Sequence, residues 1–241
     1  TILTPILTPT LTPDALAARI LYRDALMLVI DKPAGLPVHP GHGGGETLED
    51  HLDTLRFGLP ARPQIVHRLD RDTSGCLVLG RHAKALRRLN ALFAERRVTK
   101  IYHAWLDAIP ADQNGIIDCP IAPVDPLTPW RVTADPQGLR PGAQPAQTRW
   151  RVLEKRDSRA LVELRPVTGR THQLRVHCAH AGWPISGDSL HGSAPRGSPL
   201  LLHASALVLP LYPKRDPIRV EAPLPAHFPA PTPSPNAPKL C

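Results

Sequence analysis

The chain has 241 residues, with 29 Lys and Arg against 21 Asp and Glu and a formal net charge of +8 at pH 7. A chain of that length can bury a core without disulfides or a structural metal, and its four cysteines, Cys76, Cys119, Cys178 and Cys241, lack the C-x-x-C spacing of a zinc site and the density of a disulfide framework. No apolar run reaches the roughly 18 residues of a membrane span, so a soluble, cytoplasmic protein is expected, with a positive charge that favours polyanionic partners.

The first thirteen residues repeat ILTP, ILTP, TLTP, where proline removes backbone donors and blocks a continuous helix or a central strand. Residues 1–18 are therefore expected to form a tail. The end of the chain, from Ala222, is similarly rich in proline, so 230–241 reads as a second tail and 19–229 as the folded body. Within that body, Leu26 to Ile30 predicts a strand that breaks at Lys32, Pro33 and Gly35. Leu48, Leu52 and Leu55 recur at helical spacing, starting from Thr47 or Glu46. Ile65-Val66 and Cys76 to Leu79 read as short buried strands, which places the polar segment HRLDRDTSG on the turn between them.

A helix is predicted from about Lys84 to Arg97, with Leu86, Leu89, Leu92 and Phe93 on one face. Strands are expected over 100–106, 148–154, 160–165, 200–209 and 217–221, and Pro120 to Pro145 reads as a long connection carrying Trp130 and Arg131. Strands outnumber helices without alternating regularly with them. The expected fold class is α+β, a mixed and largely antiparallel sheet core with flanking helices.

Asp70 stands just after a buried strand, beside Arg68, with Thr73, Ser74 and Gly75 shaping a tight turn. A carboxylate there can be aimed, although an isolated H-R-L-D string equally reads as a turn cap. Four stretches stand together in one order: DKPAGLPVHP from Asp31, HRLDRDTSG from His67, Lys100-Ile101-Tyr102, and GRTHQLRVH from Gly169. With Pro184 to Asp188 and Leu201 to Ala204, they resemble the RluA-type RNA pseudouridine synthases in a form without an S4 domain, and the likeness spans the body of the chain.

The resemblance implies the pseudouridine synthase catalytic fold over 19–229 and isomerisation of uridine in RNA without a cofactor. It implies that Asp70 is the catalytic carboxylate, whether it attacks the base, attacks the sugar or removes a sugar proton. Tyr102 would lie against the extruded base, Arg68 would fill the space the nucleotide leaves, and Arg175 would pair with the carboxylate. His191 stands where relatives usually carry a tyrosine. The expected partner is RNA, a stem-loop of tRNA or large-subunit rRNA, with no membrane, no obligate protein partner and a monomeric chain. Independently of the resemblance, Arg87 and Arg88 on the basic helix, with Arg96, Arg97, Lys84 and Lys100 nearby, are candidates for tracking RNA phosphates.

Three other readings compete. His42-Gly43-Gly44-Gly45 and Gly187-Asp188-Ser189-Leu190 resemble serine-esterase strings, yet Ser189 lacks the G-x-S-x-G context of a nucleophile elbow. His177, Cys178 and His180 carry metal-ligand chemistry but no second pair at ligand spacing, so no metal is expected. A catalytically silent RNA-binding factor on the same fold is the non-enzyme reading, against which Asp70, Tyr102 and Arg175 stand intact.

Overall fold

The computed structural model describes residues 11–41 and 44–229; the repeat before residue 11, His42, Gly43 and the segment 230–241 with Cys241 lie outside the described residues. Helix α1 (Pro13–Ala17) begins on Thr12, whose hydroxyl accepts from Ala15 N at 3.2 Å. Proline at the first helical position suits a site with no hydrogen bond to lose. Leu11 and Leu16 are buried in the core, so the packed body starts inside the segment expected to be tail.

Strands β1 (Ile20–Arg23) and β2 (Met27–Lys32) form an antiparallel hairpin. Its turn is fixed by Asp24, whose Oδ1 accepts from Leu26 N and Met27 N at 2.8 Å. The Leu48–Leu55 segment is a 3₁₀ helix whose Thr47 and Asp50 cap each other reciprocally and whose three leucines are buried. Then come β3 (Gln64–Ile65), β4 (Ser74–Gly80), α2 (Ala83–Ala94) and β5 (Thr99–Leu106).

The second half contains β6 (Asn114–Asp118), β7 (Ile121–Pro123), β8 (Val132–Ala134), β9 (Gln147–Arg156), β10 (Arg159–Pro166), α3 (Gln173–His180), β11 (Leu202–Leu209) and β12 (Ile218–Glu221). The proline-rich connection is therefore partly built: β7 and β8 pair with each other, and Ile121 and Val132 pack on Val176 of α3.

Among the described residues, ten strands form one sheet in the order β1-β2-β4-β11-β5-β10-β9-β6, with β3 on β4 and β12 on β11. The β4–β11 pairing is parallel and the others are antiparallel, which gives the mixed, largely antiparallel α+β core. Successive residues of a strand point to opposite faces. Leu28, Ile30, Leu77 and Leu79 accordingly meet the leucines of α1 and the 3₁₀ helix, while Met27, Val29, Cys76 and Val78 meet Leu89 and Leu92 of α2. Further along, Ala104, Leu106, Val162 and Leu164 pack on Leu174 and Cys178 of α3.

The start of β4 depends on one glycine. Gly75 has φ +108° and lies directly against the backbone of Ala204, its parallel partner, where a Cβ would collide with the Ala204 carbonyl. Beside it, Ser74 Oγ and His203 Nδ1 are 2.8 Å apart and buried. These contacts seat the end of the HRLDRDTSG segment on the sheet.

Candidate active site

A cleft of about 470 Å³ opens between the HRLD segment, the end of α2, β5 and the loop leading into α3. Arg68, Asp70, Tyr102 and Arg175 all line it. Leu69 packs in the core at 5% exposure and lines the cleft together with its more exposed neighbours Arg68 and Asp70.

The backbone around Asp70 is held from two sides. Thr73 N donates to the Asp70 carbonyl at 3.1 Å, and Gly35 N donates to the Arg71 carbonyl at 2.9 Å. The fully buried Lys32 donates from Nζ to the carbonyls of Pro33 (2.7 Å), Leu36 (2.9 Å) and Arg71 (3.0 Å). Those three bonds use all three donors of an ammonium. Burial pushes the Lys32 pKa down to about 7, against the charges of Asp72, Asp70 and Asp31. One side chain thus joins the DKPAG loop to the residue following Asp70.

The Asp70 carboxylate is different. Its side chain keeps 18% exposure and accepts no hydrogen bond among the described residues, so both oxygens can reach a ligand. Its nearest cation is Arg175 Nη1 at 3.9 Å, longer than a hydrogen bond. The expected Arg175–Asp70 pair is therefore a secondary contact, because the guanidinium is committed elsewhere. Nε and Nη2 donate to Asp188 Oδ2 and Oδ1 at 2.9 and 2.7 Å, the bidentate geometry that holds an arginine plane most firmly.

Asp188, the last residue of the Pro184 to Asp188 stretch, orients Arg175. Its Oδ1 also accepts from Leu190 N (2.9 Å) and His191 N (3.0 Å). Burial works to raise the Asp188 pKa, but Arg175 and these two N–H groups outweigh it and hold the carboxyl below its ordinary value. Burial also opposes the charge on Arg175, and Asp188, with Asp70 and Asp72 beyond, more than restores it.

Arg175 stands on α3 because Gln173 locks the start of that helix. The Gln173 Oε1 accepts from Thr168 Oγ1 (2.6 Å) and Arg170 N (3.0 Å), while its Nε2 donates to the Gln147 carbonyl and Thr148 Oγ1, both at 3.0 Å. All four hydrogen-bonding capacities of the amide are spent.

Tyr102 lies between the two apolar clusters that flank the cleft. Burial, then the Asp70 charge, raises its pKa well above the ordinary phenol value, so it stays neutral. Arg68 is exposed, and its side chain makes no hydrogen bond or ion pair among the described residues. Thr73, expected only to shape the turn, also adds a polar group, since its Oγ1 is buried beside the cleft with no partner among the described residues.

The basic helix divides into two parts. Arg87 and Arg88 do not line the cleft: Arg87 is exposed, and Arg88 lies over the Tyr212 ring, 5.8 Å from its centroid. Arg96 and Lys100 do line it. Helix α2 ends at Ala94, before the expected Arg97, in a left-handed turn: Arg96 has φ +57°, Arg97 N donates to the Leu92 carbonyl at 2.9 Å and Arg96 N to Phe93 at 3.1 Å. This closing pattern normally uses glycine, and here it carries an arginine to the cleft. Lys100 Nζ donates to the Thr168 carbonyl at 3.0 Å; burial and then Arg96 lower its pKa to about 8.

The esterase and metal readings find other uses for their residues. Asp188 of the GDSL string is spent on Arg175, and His42-Gly43 of the other string lies outside the described residues. His177 engages Thr148 Oγ1 at 2.9 Å and the Cys119 carbonyl at 3.0 Å with its two ring nitrogens. Burial raises the pKa of its neighbour Cys178 far above the ordinary thiol value. Among the described residues no helix is long and apolar enough to cross a membrane.

Comparison with known proteins gives the family of the chain. A family profile described as RNA pseudouridylate synthase matches residues 26–180, which contain Asp70, Tyr102 and Arg175. The chain belongs to that family. An uncharacterized RNA pseudouridine synthase of Zymomonas mobilis is 48% identical over 217 residues, covering 88% of this chain and 96% of the relative. The ribosomal large subunit pseudouridine synthase C of Vibrio cholerae is 35% identical over 224 residues, 87% of this chain but 66% of that longer relative. Among solved structures, human RNA pseudouridylate synthase domain containing 4 superposes with a TM-score of 0.76 at 30% identity, covering 89% of this chain and 91% of that one.

Proposed function

We propose that this pseudouridine synthase isomerises uridine in a structured RNA with Asp70 as its catalytic carboxylate. The observation that carries the reading is the contrast at the cleft floor. Arg175 and Asp188 are locked to each other at 2.7–2.9 Å, while the Asp70 carboxylate beside them is partly exposed and accepts no hydrogen bond among the described residues. It is thus oriented through its backbone and free to react, as a nucleophile or base must be.

A uridine extruded from its stack would enter past Arg68, which has no internal partner and can fill the vacated position. The base would rest on neutral Tyr102, with Arg175 stabilising the Asp70 charge. Arg96 and Lys100 would meet the phosphates flanking the target. Large-subunit rRNA is the favoured substrate, since the Vibrio relative is named for it, with tRNA stem-loops second; the protein acts as a monomer without a cofactor.

The test is incubation of the protein with large-subunit rRNA and tRNA transcripts, followed by pseudouridine mapping, in parallel with Asp70→Asn. Wild type should modify a defined uridine, and the variant should bind the same RNA yet form no detectable product in a single turnover with saturating enzyme. A folded Asp70→Asn that converts uridine near the wild-type rate would falsify the assignment. An RNA-binding factor without activity would show binding and no product in either protein.

A further inference from the structure

His172 and His191 sit where the cleft wall meets the Arg175–Asp188 pair, and the role given to Asp70 uses neither. His172 immediately precedes α3 in a left-handed conformation, φ +51° and ψ +20°, with its carbonyl accepting from Val176 N at 2.9 Å. Its Nδ1 is 3.0 Å from His191 Nε2, and the rings meet edge to face at 78°. His191 is anchored by its backbone N–H, which donates to Asp188 Oδ1 at 3.0 Å. His172 itself lines the cleft with Asp70 and Arg68.

A hydrogen bond between two neutral imidazoles shares one proton between two nitrogens. When His172 Nδ1–H is the donor, His172 Nε2 is a bare lone pair, and among the described residues nothing bonds to it. When the proton shifts to His191, Nε2 carries the hydrogen instead. The pair can therefore take a proton at one end and pass one on at the other.

Conversion of uridine to pseudouridine needs such a group, since the proton on C5 must leave and N1 must gain one. Resting on the synthase reading above, we propose that His172 and His191 form a proton relay in which His172 Nε2 removes the C5 proton after C5 has joined C1′. The C5–H pair becomes the C5=C6 double bond, the C6=N1 π pair moves to N1, and N1 takes a proton from water. His172 Nδ1–H passes to His191 Nε2, His191 releases its Nδ1 proton to water, and exchange with water resets the pair.

The surrounding charges suit this task. Burial lowers the His172 pKa, and Arg175 and Arg68 act in the same direction against Asp70 and Asp188. Burial also pushes His191 down to about 4, with Arg175 and His172 adding to it and Asp188 and Asp70 opposing. Both rings are thus neutral at pH 7, and the base remains available until the pH falls below the ordinary histidine range.

The full chain should be assayed in single turnover on a transcript it modifies, with uridine or 5-deuterouridine at the target. His172→Asn is the first variant, because asparagine tolerates the left-handed conformation. Product formation should slow about 10²-fold, the usual scale of a lost general base. The deuterium effect should rise above that of wild type as C5–H cleavage becomes limiting, and RNA affinity should not change. His191→Gln keeps an acceptor for Nδ1–H but cannot pass a proton on, so it should slow the reaction about tenfold. Wild-type rates in both variants would overturn the relay, as would a slow His172→Asn whose isotope effect is unchanged, since that marks a merely structural role. Absence of product from wild type itself would remove the synthase reading and the relay with it, an outcome distinguishable because no variant is needed to see it.

Discussion

The floor and the rim of the cleft are built on opposite terms. At the floor Gln173 and Arg175, and behind it Lys32 and Asp188, bond within the protein, and each is at most 4% exposed. At the rim, Arg68 has no internal partner, and Arg96 occupies a backbone conformation that suits glycine better. Hydrogen bonds spent internally fix geometry at the cost of availability, whereas groups left free remain able to bind. Asp70 lies at the boundary, with a tethered backbone and an unclaimed carboxylate.

The largest effect on folding should come from breaking the floor. Asp188→Ala leaves Arg175 buried without its partner and should cost about 3–5 kcal/mol of stability, measured by urea unfolding, with activity lost as the guanidinium turns away. The same pair predicts a pH dependence. The Asp188 carboxyl is held below its ordinary value of 3.8, so its contribution is fully present above that pH and is lost as pH falls through the folded pKa. Wild type should therefore lose stability more steeply than Asp188→Asn below about pH 4; parallel slopes would mean the pair contributes nothing.

Lys32→Met tests the tether rather than the ion pair. Three carbonyls lose their donor, at about 1–3 kcal/mol for each one left buried, while a charge no longer has to be buried. A net loss of about 2 kcal/mol is expected, together with faster amide exchange at Gly35 and Thr73. Unchanged exchange there would show that the two loops hold together without the ammonium.

At the rim the signs should reverse. Arg96→Gly relieves the left-handed strain and should stabilise the fold by about 0.5–1 kcal/mol. It should also weaken RNA binding and make its salt dependence shallower by about one unit. The smallest effect is expected for Arg87→Ala, which lies away from the cleft: if its salt slope falls as much as that of Arg96→Gly, RNA extends over the outer face of α2 and the rim is wider than the cleft.

The turn that carries Asp70 was legible in the sequence because two buried strand runs bracket a polar segment, and periodicity reports that contrast directly. The leucine spacing similarly placed α2. Helix α3 is hard to read from sequence, because it is buried almost all round and its inward polar residues Gln173, Arg175 and His177 erase any apolar stripe. Asp188 could not be matched to Arg175, since the pairing runs across a loop that has no period of its own. Strands β6, β7 and β8 are five, three and three residues long, too short for alternation to register. The sequence drew attention to Arg87 and Arg88 by charge alone, and charge says nothing about which way a helix end will turn.

The parallel pairing of β4 with β11 has a consequence for how the protein is made. The Ser74–His203 hydrogen bond joins residues 129 apart in sequence, and contacts at that separation form late because loop closure must precede them. During synthesis the HRLD segment would leave the ribosome long before the strand that seats it. A nascent chain that ends before Leu202 would carry Asp70 but lack the Ala204 backbone against which Gly75 rests. The HRLD segment should therefore take its seated form only when β11 inserts, so a strand made much later decides when the earlier turn is in place.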